Sequence, residues 1–185
     1  MLKDIFFALW FFLPAGMANM MPIPTAAIPK LKELNTPIDF GKTFRGNRIF
    51  GSHKTWRGLA VGIVFSTLTL WLQQLLVIHS SWLQIWTSQV DYAQLPTLVL
   101  GPLFAFGALG GDAIESFFKR QIGIPPGNGW FPFDQTDYII GAAIISIPFV
   151  ALSLVQYVAL ILFWFVVSAV ASVIGYLLGL KERPI

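Results

Sequence analysis

Residues 138–180 read YIIGAAIISIPFVALSLVQYVALILFWFVVSAVASVIGYLLGL, a run of 43 positions without Asp, Glu, Lys or Arg. A helix that crosses about 30 Å of hydrocarbon needs about 20 mostly apolar residues, so this run is long enough for two passes joined by a tight turn near Ser153 to Tyr157. Three further charge-free runs, Ile5 to Pro29, Gly58 to Val90 and Tyr92 to Gly111, can each hold another. Together they predict five spans, at about 5–28, 58–78, 95–118, 137–155 and 158–180. The whole composition agrees. Of 185 residues, 56% are hydrophobic and 11% charged, against about 25% charged in a soluble domain. A core of that size cannot hide so much apolar surface, and the surplus must face lipid. The expected fold class is an all-α integral membrane protein, with residues 1–185 forming one membrane-embedded domain. The first span is the least regular, because Pro14, Gly16, Asn19, Pro22 and Pro24 interrupt it. A membrane tolerates such breaks where neighbouring protein or a polar cavity satisfies the freed backbone. A cleaved signal peptide ending near Gly16 and Ala18 is the competing reading, but the apolar character continues past that point.

Charge fixes the expected orientation. Seven basic residues fall between Lys30 and Arg57, two at Lys119 and Arg120, and two at Lys181 and Arg183, while Lys3 stands apart from all of them. With five spans these clusters share one face, which the positive-inside rule assigns to the cytoplasm. The N-terminus and the Trp-rich connection 79–94 then lie outside and the C-terminus inside, in a multi-pass protein of the plasma membrane. The cytoplasmic loops are expected at about 29–57 and 119–136.

The absence of cysteine and the presence of only two histidines, His53 and His79, exclude disulfides, thiolate chemistry and imidazole-rich metal sites. A metal here would be hard and oxygen-liganded. Carboxylates bordering a span are expensive and point to function, which makes GGDAIESFFKR at Gly110–Arg120 informative. At about 100° per residue, Asp112, Glu115, Ser116, Lys119 and Arg120 fall within an arc of roughly 140°, opposite Ala113, Ile114, Phe117 and Phe118. An ordinary i,i+4 pair between Glu115 and Lys119 would explain part of this face. Asp112 follows the small residues Gly107, Gly110 and Gly111, which lets helices approach and turns its carboxylate into the bundle. A second acidic pair, Asp134 and Asp137, precedes the next span. Each could act alone as a helix-start carboxylate. Taken together, the two pairs bracket one loop at membrane depth, where mutual repulsion calls for a bound cation such as Mg²⁺.

The loop 29–57 supplies the opposite sign, with Lys42, Arg45, Arg48, Lys54 and Arg57 among Gly41, Gly46 and Gly51. Glycines admit phosphate close to the backbone and cations neutralise it, although a topology signal that holds anionic headgroups has the same composition. A nucleotide P-loop is absent, because Ser52 stands where its lysine is required. Nucleic acid is not an expected partner, since the basic loop lacks aromatic platforms and is enclosed by membrane. A metal-bound carboxylate site beside a cationic Gly-rich loop suits nucleotidyl or phosphoryl transfer to a lipid phosphate. The non-enzymatic alternative is a small transporter or lipid-binding protein that uses Asp112 and Asn19 for passage.

The segments LPAGMANMMP, TPIDFGKTFRGNRIFGSHKTWRG, GDAIESFFKRQIG and FDQTDYIIGA, spread from Leu13 to Ala142, resemble the CDP-archaeol synthase family. That family is the short branch of the membrane CTP-dependent cytidylyltransferases, which also contain the CDP-diacylglycerol synthases. The resemblance implies an Mg²⁺-dependent nucleotidyltransferase of phospholipid biosynthesis. It would join CTP to an unsaturated archaeal diether glycerol phosphate, giving a CDP-activated lipid and pyrophosphate; diacyl phosphatidate is the alternative lipid. Carried over by motif, Asp112 with Asp134 or Asp137 would hold metal. Glu115, Lys119 and Arg120 would order or contact phosphates, completing a catalytic set with the three aspartates. Lys42, Arg45, Lys54 and Arg57, with Arg48 in the same motif, would bind CTP or the lipid phosphate, and Asn19 would line the break in the first span. Membrane lipids are the expected surroundings, and a homo-oligomer is compatible with this reading.

Overall fold

The computed structural model describes residues 1–26, 28–32, 34–126 and 128–179, with Pro29 and Lys32 described by backbone alone. The predicted basic pair Lys181 and Arg183 lies outside the described residues. Most of the described residues are helical. The first crossing, Leu2–Thr25, is built from α1 (Leu2–Phe11), α2 (Leu13–Met20) and α3 (Pro22–Thr25). Its breaks fall at Phe12 and Met21, and Pro14 and Pro22 each occupy the first turn of the piece that follows. That position costs proline nothing, because its missing N–H would be unpaired there. Next come the one-turn α4 (Pro29–Lys32) and the two-stranded antiparallel hairpin β1 (Thr43–Phe44) and β2 (Asn47–Arg48). Two long helices follow, α5 (Trp56–His79) and α7 (Thr97–Gln121), separated by the short α6 (Ser81–Trp86). The last of the described helices are α8 (Asp137–Ser146) and α9 (Leu154–Leu177).

Leu2–Thr25, α5, α7 and α9 are long and apolar enough to cross a membrane. The fourth expected span, over 137–155, takes another form. Helix α8 has 10 residues, a length of about 15 Å or half the hydrocarbon thickness, and 147–153 is not helical. The cause is the depth at which α8 starts. Its first residue packs against Gly111, about 15 Å back along α7 from Gln121 at 1.5 Å per residue. The chain after α7 therefore returns into the bundle before it becomes helical, and hydropathy alone does not register that return. Segment 147–153 completes the passage. Helix α9 starts beside the N-terminus, where Gln156 Nε2 lies 3.5 Å from the Asp4 carbonyl. Further along, the Tyr138 hydroxyl donates to the Trp164 carbonyl at 3.4 Å. Its start is fixed by a capping box in which Ser153 and Gln156 satisfy each other's backbone.

The Trp-rich connection lies on the same face as the N-terminus. Phe6 meets Trp82 and Trp86 edge-on, both at 5.4 Å, and Gln89 donates to Asp4. The core begins directly beneath. Phe7, Phe11, Phe12, Leu70, Leu100 and Phe104 are fully buried, and Phe104 meets Phe11 and Phe12 edge-on at 5.3 and 5.5 Å. Below that aromatic layer the helices close on small residues. Gly101 of α7 abuts Thr67 of α5, with Ser66 Oγ donating to the Gly101 carbonyl at 2.8 Å. Gly62 admits Leu109 and the Ala18 carbonyl, which draws α2, α5 and α7 together. In a membrane such close approach supplies packing that hydrophobic burial cannot, since lipid tails are as apolar as the helices.

Candidate active site

Helices α7 and α8 run antiparallel with their backbones nearly touching. A methyl group on Gly111 would overlap the Asp137 carbonyl, one on Gly141 would overlap the Gly107 carbonyl, and one on Gly107 would stand 2.8 Å from the Ala142 Cα. This contact sets the first residue of α8 beside the polar face of α7. Carboxylate oxygens of Asp112, Glu115 and Asp137 all lie within 4.8 Å of one another. One Asp137 oxygen accepts from the Tyr138 N–H at 2.6 Å, while the other, Oδ2, is buried without a hydrogen-bond partner. Oxygens this close together would need only small side-chain movements to meet on one small hard cation. An all-oxygen, anionic donor set with an orphaned oxygen fits a hard divalent cation.

The cluster takes three carboxylates of the two acidic pairs, including Asp112 and Asp137 of the ligands that the family resemblance implies. Asp134 borders the cluster, its carboxylate against that of Glu115. Its carboxylate accepts from Lys119 Nζ at 2.5 Å and from the Trp130 N–H. Glu115 belongs to the cluster because i,i+3 spacing on α7 sets it directly above Asp112, whereas Asp134 comes from the turn Phe133–Gln135 before α8. Lys119 joins the two groups, reaching Glu115 at 3.3 Å and Asp134 at 2.5 Å. Arg120 is buried beside them, with Nε free of any hydrogen bond.

The cationic loop delivers its residues unequally. Lys54 comes furthest in, with Nζ 2.5 Å from Asp112 Oδ2. Burial works to lower its pKa, but the Asp112 carboxylate more than offsets this and holds it above the ordinary lysine value. Thr55 then caps α5, its hydroxyl accepting from the Gly58 N–H at 3.1 Å. Arg57 sits in the first helical turn, buried, with Nε and Nη1 lacking hydrogen-bond partners. A helix N-terminus favours anions, and Lys54 and Arg57 add two cations to this one. Arg48 is committed differently. It binds Asp39 through Nη2 at 2.6 Å and Nε at 3.4 Å. Lys42 and Arg45 are exposed on or beside the hairpin, with Arg45 lying 5.4 Å over the Phe44 ring. Asn19 is half-buried in the last turn of α2.

Asp39 is the residue that motif reading left without a role. Its buried carboxylate accepts from Arg48 and from the backbone N–H groups of Gly41 at 2.9 Å, Phe50 at 3.1 Å and Gly51 at 3.1 Å. Burial opposes ionisation, but those donors outweigh it and hold the acid well below the usual carboxylate range. Asp39 thereby folds the Gly-rich segment around itself. The turn at Arg45 and Gly46, with φ of 51° and 85°, closes the hairpin in the primed geometry that two-residue loops favour. The sequence signal was present in the spacing. An Asp two residues before Gly41 reads as an Asx turn, in which the side chain bonds the backbone ahead of it.

The sequence profile of CarS-like CDP-archaeol synthases matches residues 1–185. The chain belongs to the CDP-archaeol synthase family. A CDP-archaeol synthase of Thermococcus gammatolerans is 35% identical over 185 residues, covering 99% of this chain and 98% of that one. Another, from Pyrococcus furiosus, is 38% identical over 146 residues, covering 76% and 74%. A solved structure described as an intramembrane enzyme for archaeal membrane lipids biosynthesis superposes with a TM-score of 0.71 at 26% identity, covering 92% of this chain and 95% of that one. The family gives the partly buried acidic cluster a chemical context.

Proposed function

We propose that this family member is a CTP-dependent cytidylyltransferase that joins CTP to an unsaturated diether glycerol phosphate, forming a CDP-activated lipid and pyrophosphate. The observation that carries the reading is the cluster of Asp112, Glu115 and Asp137 inside a lipid-facing bundle, with Lys54 at its edge. In the reaction an oxygen of the lipid phosphate attacks the α-phosphorus of CTP, and the bond from that phosphorus to the β-phosphate oxygen breaks. A phosphomonoester is largely ionised at pH 7, so no side chain has to remove a proton from the nucleophile. A site without histidine suffices.

Asp112, Glu115 and Asp137 are the residues that would hold a divalent ion, Mg²⁺ by the hardness of the donors. When bound, such an ion would polarise the α-phosphate and neutralise charge on the departing pyrophosphate. The chain's own groups do the rest. Arg57, with two buried unpaired nitrogens at the start of α5, donates hydrogen bonds to a reacting phosphate. Lys119 holds Glu115 and Asp134 in place, and Arg120 adds positive charge beside them. Asp134 acts as an anchor for Lys119 and the Trp130 turn. Lys42 and Arg45 meet the triphosphate or the lipid headgroup from the loop side, and Arg48 serves through Asp39 by holding that loop. Asn19 lines the break in the first span.

The seven basic residues of 30–57 and the pair at 119–120 support an active site opening to the cytoplasm, in the plasma membrane. The N-terminus and Trp82 then face outside. The test is direct. Purified Asp112→Asn protein is expected to insert and fold but to lose at least about a hundredfold in turnover, the scale of removing one group that stabilises transition-state charge. Unchanged turnover would remove Asp112 from the chemistry.

A further inference from the structure

Lys54 belongs to a loop 58 residues before Asp112, yet its ammonium reaches into the carboxylate cluster to lie 2.5 Å from Asp112 Oδ2. Both side chains are 23% exposed, and among the described residues Nζ makes no other ion pair. The charges facing it are Asp112 and Glu115 from α7 and Asp137 from α8. Lys119 is already engaged, shared between Glu115 and Asp134. Asp112, Glu115 and Asp137 carry three negative charges between them when ionised, and Lys54 is the cation paired with Asp112. A divalent ion entering the same cluster meets a resident charge of its own sign. Even on the other Asp112 oxygen it would stand within about 4–5 Å of Nζ, a separation at which like charges repel strongly under partial burial.

We infer that Lys54 is an exchangeable counter-ion, which occupies the acidic cluster in the absence of metal and is released from Asp112 onto a nucleotide phosphate when the divalent ion arrives. The inference rests on the reading of the cluster as a metal site and adds an energetic link between its two ligands. Metal binding frees the ammonium for the phosphate, and the phosphate draws the ammonium away from the metal ligands. Each ligand therefore tightens the other, as linkage requires. A lysine suits this exchange better than an arginine fork, because its flexible stem carries a compact point charge that can move between partners. A lysine that only touches triphosphate would leave nucleotide-free metal affinity unchanged.

The test measures Mn²⁺ binding by electron paramagnetic resonance on the full chain in detergent, with and without a non-hydrolysable CTP analogue. Wild type, Lys54→Met, Lys54→Arg and Asp112→Asn are compared. Without nucleotide, Lys54→Met is expected to bind Mn²⁺ about ten- to a hundredfold more tightly than wild type, the scale of removing one unit charge near a partly buried site. Lys54→Arg is expected to stay near wild type. In wild type the analogue tightens Mn²⁺ binding, and in Lys54→Met that enhancement shrinks. Equal or weaker nucleotide-free binding by Lys54→Met would overturn the counter-ion role while leaving the metal site intact. Absence of Mn²⁺ binding by wild type even with the analogue would overturn the metal site and the inference together. A second measurement needs no variant. Mg²⁺ alone is expected to raise the acylation rate of Lys54 in wild type several-fold, read by peptide mass spectrometry, and an unchanged rate would also overturn the exchange.

Discussion

At Asp39 a single carboxylate gathers one guanidinium and three backbone N–H groups, and the cationic loop takes its shape from that set of bonds. Replacing it by asparagine removes the charge and leaves donors underused, which costs about 1–3 kcal/mol for a buried site. The effect should be local. Trypsin is expected to cut Asp39→Asn protein at Lys42 and Arg45 several-fold faster than wild type at neutral pH, with helix content unchanged. Equal cleavage rates would show that the loop has other supports. The pH dependence has a definite sign. Because the folded carboxyl lies below its unfolded value, its contribution is fully present above the unfolded pKa of about 4 and is lost as pH falls through the folded value. Hydrogen exchange of the Gly41, Phe50 and Gly51 amides, corrected for intrinsic rates, should therefore stay protected at pH 5 and differ between wild type and Asp39→Asn there. The Arg48 assignment shows the limit of reading charge from sequence. Five cations in one Gly-rich loop look equivalent, and only the folded position of Asp39 separates the one that braces the loop from the other four.

At the scale of elements, the contact between α7 and α8 decides whether a cluster exists. Gly111 meets the Asp137 carbonyl, while neighbouring Gly110 has nothing within 4 Å of where a side chain would begin. Adjacent glycines thus give opposite expectations. Gly111→Ala should force α8 away from α7, costing about 1–3 kcal/mol and most of the activity, because Asp137 moves with its helix. Gly110→Ala should be tolerated, and can gain up to about 1 kcal/mol from better helix propensity. Thermal unfolding in detergent together with activity checks both, and equal behaviour of the two variants would contradict the packing. The glycine stripe was legible in the sequence as a sign of close helix approach. Which three carboxylates it brings within reach of one another was not. Linear spacing pairs Asp134 with Asp137, but the turn at Phe133–Gln135 directs Asp134 to Lys119 and the Trp130 N–H, leaving Glu115 to complete the cluster. The length of α8 was hidden for a related reason, since an apolar run does not reveal the depth at which its helix begins.

At the scale of the molecule, the charge-free runs were enough to predict a helical membrane protein, because each long span declares itself by length alone. The two faces also sort cleanly. Ser88 lies exposed near the N-terminal face and Asn47 lies exposed on the hairpin beside the site. The chain has no cysteine, so Ser88→Cys and Asn47→Cys each introduce one thiol. A membrane-impermeant maleimide should label Ser88→Cys on intact cells and Asn47→Cys only after the membrane is opened. The reverse pattern would invert the topology. The most direct measurement of the central claim is product mass and pyrophosphate release from purified protein with CTP, Mg²⁺ and a diether glycerol phosphate, run beside diacyl phosphatidate and the Asp112→Asn protein. The expected result is a CDP-lipid and equimolar pyrophosphate from the diether substrate, abolished by chelation and by Asp112→Asn. Absence of CDP-lipid from folded wild-type protein with either lipid would contradict it.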